Sequence, residues 1–174
     1  MIEEFKNDLS KKIGGENLKK IESVRVGIAG AGGLGSNCTM NLVRVGFKKF
    51  TIVDFDVVEA SNLDRQFYFL DQIGKNKVEA LEQNLLRINP KLEIKTIKNR
   101  IERENVRELF EDCEIVAECF DKAEYKSMLV EEMLLCKKFV VSASGLGGIG
   151  NSDEIKIKKI KDNFVLIGDL KSDI

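Results

Sequence analysis

Val24-Arg25-Val26-Gly27-Ile28-Ala29-Gly30-Ala31-Gly32-Gly33-Leu34-Gly35 is the stretch whose reading decides the fold. Its first half is apolar and β-rich, its second half is a glycine turn, and residues 36–45 then look helical up to a stop at Gly46. A second apolar run, Phe50-Thr51-Ile52-Val53, ends at Asp54 and completes a βαβ unit of roughly thirty residues. Gly30, Gly32 and Gly35 satisfy GxGxxG, and Gly33 belongs to the same turn. Such glycines let backbone amides and a helix N-terminus approach a pyrophosphate without side-chain obstruction. They also allow tight strand–helix packing, so the turn by itself speaks for fold and phosphate contact only. Asp54 stands about twenty residues beyond the glycines, where a carboxylate can bind both ribose hydroxyls; a solvated turn aspartate is the plain alternative. Up to this point a nicotinamide or flavin dehydrogenase fits as well as an ATP enzyme.

Outward from this unit, the chain reads as one domain of 174 residues, with a helical arm over residues 1–22 and a Rossmann-like core over residues 23–174. In the arm, Ile2, Phe5, Leu9 and Ile13 recur at three- and four-residue spacing, and Gly14-Gly15 interrupts the pattern. That apolar stripe can pack within the chain or across a dimer. Residues 57–70 show no period and read as a long connection. The positions Val78, Leu81, Leu85 and Ile88 predict a helix that Asn89-Pro90 ends. Strands are expected at 92–97, 113–119 and 139–143, separated by helices near 103–110 and 123–136. The alternation argues for an α/β fold with a mainly parallel sheet and helices on both faces. Residues 154–160 and 164–167 read as an antiparallel hairpin at the sheet edge.

Composition narrows the chemistry. A hydrophobic content of 43%, a charged content of 33% and a formal net charge of -1 give a soluble globular profile with no global pull toward nucleic acid or membrane. No apolar run approaches a membrane span, and MIEEFKNDLSKK lacks a secretory core, so a cytoplasmic setting is expected. The sequence contains no histidine, which removes Ser-His and Cys-His nucleophile pairs and a histidine general base. Cys38, Cys113, Cys119 and Cys136 form no CxxC pair; zinc is not expected, and the thiols read as buried and inert. Lys156, Lys158, Lys159 and Lys161 suggest a solvated edge strand rather than a nucleic-acid patch.

What separates an ATP enzyme from a dehydrogenase is Asp54-Phe55-Asp56-Val57-Val58-Glu59-Ala60-Ser61-Asn62-Leu63-Asp64-Arg65-Gln66, followed by Gly74-Lys75-Asn76-Lys77. Hydride transfer has no need of this block. It resembles the D-x-D...SNLxRQ and G-x-x-K motifs of the ThiF/MoeB/HesA family, the bacterial relatives of ubiquitin-activating enzymes. The resemblance continues through Arg87-Ile88-Asn89-Pro90 and Glu118-Cys119-Phe120-Asp121. Among subgroups the chain looks most like short ThiF-type proteins, which activate the sulfur carrier of thiamine biosynthesis.

The resemblance implies adenylation: the C-terminal glycine carboxylate of a small ubiquitin-fold carrier attacks the α-phosphorus of ATP and releases pyrophosphate. It implies that Asp54 holds the ribose, that Asn62, Arg65, Gln66 and Lys77 surround the triphosphate, and that Asp121 binds Mg2+. Arg65, Lys77 and Asp121 would then be the catalytic set, with Asp56 a weaker ligand candidate. Arg65 suits paired hydrogen bonds and Lys77 acts as a point charge, though both also suit a solvated surface. Asp121 could instead cap the following helix. A homodimer is implied as well.

The chain departs from the pattern in three places. The R-Y-x-R-Q segment whose arginine reaches the partner's ATP is missing, with only Lys11 or Lys12 to substitute. The zinc-binding CxxC pairs and the downstream transfer cysteine of larger relatives are not recognisable. Longer relatives also continue beyond residue 174 into a crossover loop and closing helix. The competing readings are activation of a molybdopterin-type carrier or a tRNA-borne carboxylate, an NAD-dependent oxidoreductase, and a non-catalytic nucleotide-binding module.

Overall fold

The computed structural model describes residues 2–144 and 152–169, so the sequence's close at 170–174 and the side chain of Ile2 lie outside the described residues. The arm forms α1 (Ile2–Ile13) and α2 (Gly15–Ser23), broken at Gly14, whose φ of 86° suits only glycine well. The core then runs β1 (Arg25–Ala29), α3 (Gly33–Val45), β2 (Lys49–Val53), α4 (Lys77–Ile88), β3 (Glu93–Ile97), α5 (Val106–Leu109), β4 (Ile115–Glu118), α6 (Ala123–Leu135), β5 (Phe139–Ala143), β6 (Lys156–Lys161) and β7 (Phe164–Gly168).

These strands form one sheet in the order β3-β2-β1-β4-β5-β7-β6. All neighbours are parallel except β6 and β7, so the expected antiparallel edge hairpin is present, with every residue of β6 exposed. Strand alternation assigns the two faces. Val26, Ile28, Phe50 and Ile52 point into a core shared with Val43 of α3 and with Leu81 and Leu85 of α4. Ala29, Val53 and Val116 join the opposite core with Phe110, Leu129 and Met133. Each fully buried side chain of this size contributes about 1.5–3 kcal/mol.

Two helices differ from expectation. The helix after the glycine turn starts at Gly33, three residues before the expected 36, because the turn's last glycines already adopt helical geometry. The helix expected near 103–110 shrinks to Val106–Leu109, and Phe110 leaves the helical path to be fully buried. Residues 57–70 are an ordered connection, tied by a bridge between Val57 and Asn76 and by 3₁₀ turns at Ala60–Asn62 and Leu70–Gln72. Cys113 and Cys119 are buried, whereas Cys38 and Cys136 are half-buried. Burial pushes the Cys38 thiol up and raises Cys113 to about 11, which keeps both protonated near neutrality. No helix of the described residues is long and apolar enough to cross a membrane.

Of the arm's apolar stripe, Leu9 packs within the chain and Ile13 is half-buried, whereas Phe5 is 40% exposed. Leu18 is buried, and Leu9, Leu18 and Ile21 close over Gly46 at the end of α3. Glu22 fastens this arrangement through Lys6 of α1 at 3.3 Å and Lys48 of the core at 2.8 Å. Burial opposes ionisation of Glu22, yet its lysine partners hold it below the usual carboxylate range. Glu132 is also lowered, chiefly by the Arg107 hydrogen bond. A carboxyl depressed in the folded state stabilises the fold above its unfolded value, about 4.3, and loses that contribution as pH falls through the lower folded value. The midpoint of thermal unfolding should therefore drop below about pH 4. Glu22→Gln should flatten that drop, measured by melting curves from pH 3 to 7.

Candidate functional site

Order reverses at β1, whose neighbours are β2 on one side and β4 on the other. In such sheets the crevice for ligands opens at the carboxyl ends of the strands at this switch point. Register places Ala29 opposite both Val53 and Glu118, so the chain leaves all three strands at one level, at Gly30, Asp54 and Cys119. A cavity of about 870 Å³ opens there. Its wall includes Gly30, Gly32, Gly33, Asp54, Asp56, Asn62, Arg65, Gln66, Lys77 and Asp121, which are all but one of the residues expected from the sequence.

The exception is Gly35, which is buried inside the first turn of α3. A Cβ there would stand 1.9 Å from the Gly30 carbonyl oxygen, so this glycine serves close packing of helix against turn. Gly30 has φ of 97°, and its Cβ would press on the Cys119 carbonyl at 3.1 Å. At Gly32 and Gly33 an added Cβ meets nothing closer than 3.7 Å, which leaves their backbone open to the cavity. No side chain caps the start of α3, so the first-turn amides remain available to an anion.

Asp54 is nearly buried, and its carboxylate accepts the amides of Ala31 at 2.6 Å and Asp56 at 2.8 Å. These bonds clamp the glycine turn to the end of β2. The Tyr68 hydroxyl donates to the Ala31 carbonyl at 2.6 Å. Burial, with Asp54 and Asp56 nearby, pushes its ionisation far up, so it stays a neutral donor. Lys77 opens α4 and is only 6% exposed; its Nζ lies 2.9 Å from Asp56 Oδ2. Asp56 is thus the counterion of Lys77. Asn62 Oδ1 accepts the Glu59 amide at 3.0 Å, which shapes the connection. Arg65 is more than half exposed and pairs with Asp64 at 2.7 Å while donating to the Ser61 carbonyl.

Two side chains at the site carry unused polar groups. Gln66 Oε1 is buried without a hydrogen-bond partner among the described residues. Asp121 is exposed after β4, and the capping position of α6 belongs to Lys122 without a side-chain cap bond. The capping alternative for Asp121 therefore does not hold. No group of three or more acidic, cysteine or histidine side chains that could hold a metal occurs among the described residues. A lone carboxylate beside a cavity with free helix amides nevertheless suits Mg2+ where a nucleotide supplies most of the ligands, since the ion keeps several waters.

The sequence reading missed part of the wall. The Arg100 guanidinium lies 4.4 Å from the centroid of the Phe55 ring, and both residues border the cavity beside Asp54. The signal was present in their positions just past β3 and β2, the carboxyl ends that face the crevice.

The ThiF family profile matches residues 5–162. The chain belongs to the ThiF family. Among similar proteins, this ThiF-family chain is 33% identical over 132 residues to the adenylyltransferase and sulfurtransferase UBA4 of Scheffersomyces stipitis, covering 75% of the chain and 30% of that protein. It is 30% identical over 137 residues to the molybdopterin-synthase adenylyltransferase of Haemophilus influenzae, covering 78% of the chain and 56% of the relative. The ThiF-family chain thus spans about a third to about half of the length of these relatives. The same fold occurs in the E. coli tRNA N6-threonylcarbamoyladenosine dehydratase TcdA, crystallised with ATP, at a TM-score of 0.83 and 23% identity over 87% of this chain and 63% of that one. E. coli MccB with ATP gives a TM-score of 0.70 at 22% identity over 80% of this chain and 41% of that one.

Proposed function

We propose that this chain adenylates the C-terminal glycine carboxylate of a small ubiquitin-fold sulfur carrier, using ATP and releasing pyrophosphate. The observation that carries the reading is the convergence, on one cavity, of the uncapped α3 amides, the clamped Asp54, buried Lys77 and the Asp121 carboxylate, which has no partner among the described residues. Adenylyltransferase relatives support it.

In this reading Asp54 receives the ribose, and the triphosphate lies over Gly32 and Gly33 toward Lys77. The base falls on the opposite side of Asp54, against Phe55 and Arg100. Lys77 exchanges Asp56 for phosphate oxygens, and Arg65 swings from Asp64 to pair with them. A carrier carboxylate is already ionised at neutral pH, so attack on the α-phosphorus needs no general base. A chain without histidine suits that step. The carboxylate oxygen bonds to phosphorus, the bond to the β-phosphate bridging oxygen breaks, and pyrophosphate departs. Asn62 and Gln66 orient the phosphates, while Lys77 and Arg65 stabilise charge on the transferring group. When bound, Mg2+ held by Asp121 would neutralise phosphate charge.

Thiamine-type and molybdopterin-type carriers both present the required glycine. The short motif set favours the first, and the name of the Haemophilus influenzae relative favours the second. A symmetric homodimer is part of the reading, supported by exposed Phe69, Leu70 and Ile73 on the connection; sedimentation of the purified chain tests it. The activity test is carrier-dependent exchange of labelled pyrophosphate into ATP, run with both carriers and with modified tRNA. Exchange with a glycine-terminated carrier is expected. Exchange only with tRNA would move the substrate, and tight NADH binding without ATP binding would overturn adenylation.

A further inference from the structure

β4 is apolar until its last residue, Glu118, whose side chain is completely covered. A buried carboxylate is tolerated only when charge and hydrogen-bonding capacity are both met. Glu118 is met on all sides: Oε1 accepts the Phe120 amide at 2.6 Å, Lys126 Nζ lies 3.2 and 3.1 Å from its two oxygens, and the Ser142 hydroxyl donates to Oε2 at 2.5 Å. One carboxylate therefore joins the end of β4, its register partner Ser142 on β5, the side chain of Lys126 on α6, and the turn between β4 and α6. Asp121 stands on that turn. Its own side chain has no partner among the described residues, so the backbone of the turn alone decides where its carboxylate stands at the cavity rim.

We propose that Glu118 and Lys126 are positioning residues that fix Asp121 at the rim of the nucleotide cavity, and through it the divalent cation that arrives with the triphosphate. The proposal rests on the nucleotide reading above. A buried ion pair is a poor stabiliser compared with apolar residues of the same shape, so fold stability alone gives little reason for one here. Its placement directly behind the free carboxylate gives a reason: residues that orient a metal ligand set both its direction and its strength. Lys126 also borders the cavity, so the cross-link reaches the site wall itself.

The test measures nucleotide affinity of the full chain by calorimetry, once with EDTA and once with Mg2+, and takes the ratio as the metal contribution. Manganese resonance spectra of the ternary complex report the same contact independently of turnover. Asp121→Asn should abolish the metal contribution. Glu118→Gln and Lys126→Met should each reduce it by about tenfold or more, as loss of a residue supporting a metal ligand typically does. Affinity in EDTA should be unchanged in Glu118→Gln, whose side chain is fully covered, and Lys126→Arg should recover most of the loss. If Asp121→Asn removes the contribution while Glu118→Gln and Lys126→Met keep it, positioning is overturned and the Asp121 reading stands. If Asp121→Asn keeps it, the metal reading of Asp121 falls and takes the proposal with it. Equal losses with and without metal would make the pair merely structural and overturn the proposal too. Should Glu118→Gln fail to fold, Lys126→Met and Ser142→Ala decide the matter by the same ratio.

Discussion

Lys77→Ala should reduce carrier-dependent pyrophosphate exchange by about two to three orders of magnitude, the usual loss when one pre-organised charge at a transferring group is removed. Lys77 is held in place before any ligand arrives. It opens α4, its side chain is 8% exposed, and Asp56 fixes its ammonium at 2.9 Å. A buried point charge acts through a lower effective dielectric than a surface one and so exerts more on a nearby phosphate. The substitution also does harm in a second way, because Asp56 is left in the cavity without its counterion and repels the triphosphate. Lys77→Ala with Asp56→Ala should therefore bind ATP more tightly than Lys77→Ala alone while remaining slow in exchange. Calorimetry and exchange on the same preparations separate the two effects. Exchange at the parental rate in Lys77→Ala would remove the lysine from the chemistry.

Gly35→Ala should lower the thermal midpoint by about 6–12 °C, as expected for a loss of roughly 3 kcal/mol from overpacking in a chain of this size. The added methyl group would stand 1.9 Å from the Gly30 carbonyl oxygen and 3.3 Å from Cys119 Cβ. Backbone, not a flexible side chain, is what it meets first. Relief requires α3 to move away from β1, and that movement carries the glycine turn with it. Gly33→Ala is the matched comparison. Its methyl would meet only Arg65, at 3.7 Å, and would face the cavity. It should leave the melting curve within about 0.5 kcal/mol of the parent, as most substitutions away from the core do, and weaken ATP binding instead. Differential scanning fluorimetry beside calorimetry distinguishes a packing glycine from a ligand-facing one.

That contrast also shows what a sequence pattern can and cannot convey. The spacing of Gly30, Gly32 and Gly35 announces a strand–turn–helix junction, because few other arrangements need three small residues there. It does not say which glycine faces the ligand, since that depends on how closely α3 approaches β1. Asp54 was legible for a similar reason, since it follows the second strand of the βαβ unit, whereas Lys77 and Asp121 were singled out through the family resemblance; all three border the cavity. The partner of Lys77 was less legible, since Asp56 read as a weak ligand until the connection folded back to bring it to α4. Glu118 had no legible role. Its four hydrogen bonds join residues up to 24 positions apart, and only the pairing of β4 with β5 sets that meeting. The short α5 was overcalled because helical periodicity near 103–110 reflects Val106, Leu109 and Phe110 all seeking the core, which a single turn followed by a bend also achieves.

The common level at which β1, β2 and β4 end has a consequence for the chain as it is being made. Val26 through Ala29 must wait for Ile115 through Glu118 before that side of the crevice exists, a gap of about ninety residues that slows loop closure and favours late assembly. A nascent chain that has emerged only through β3 contains the residues of the glycine turn and its Asp54 clamp but not the second wall. On the proposed function, ATP would bind only after β4 docks and would add its binding energy to chains in which that wall has formed.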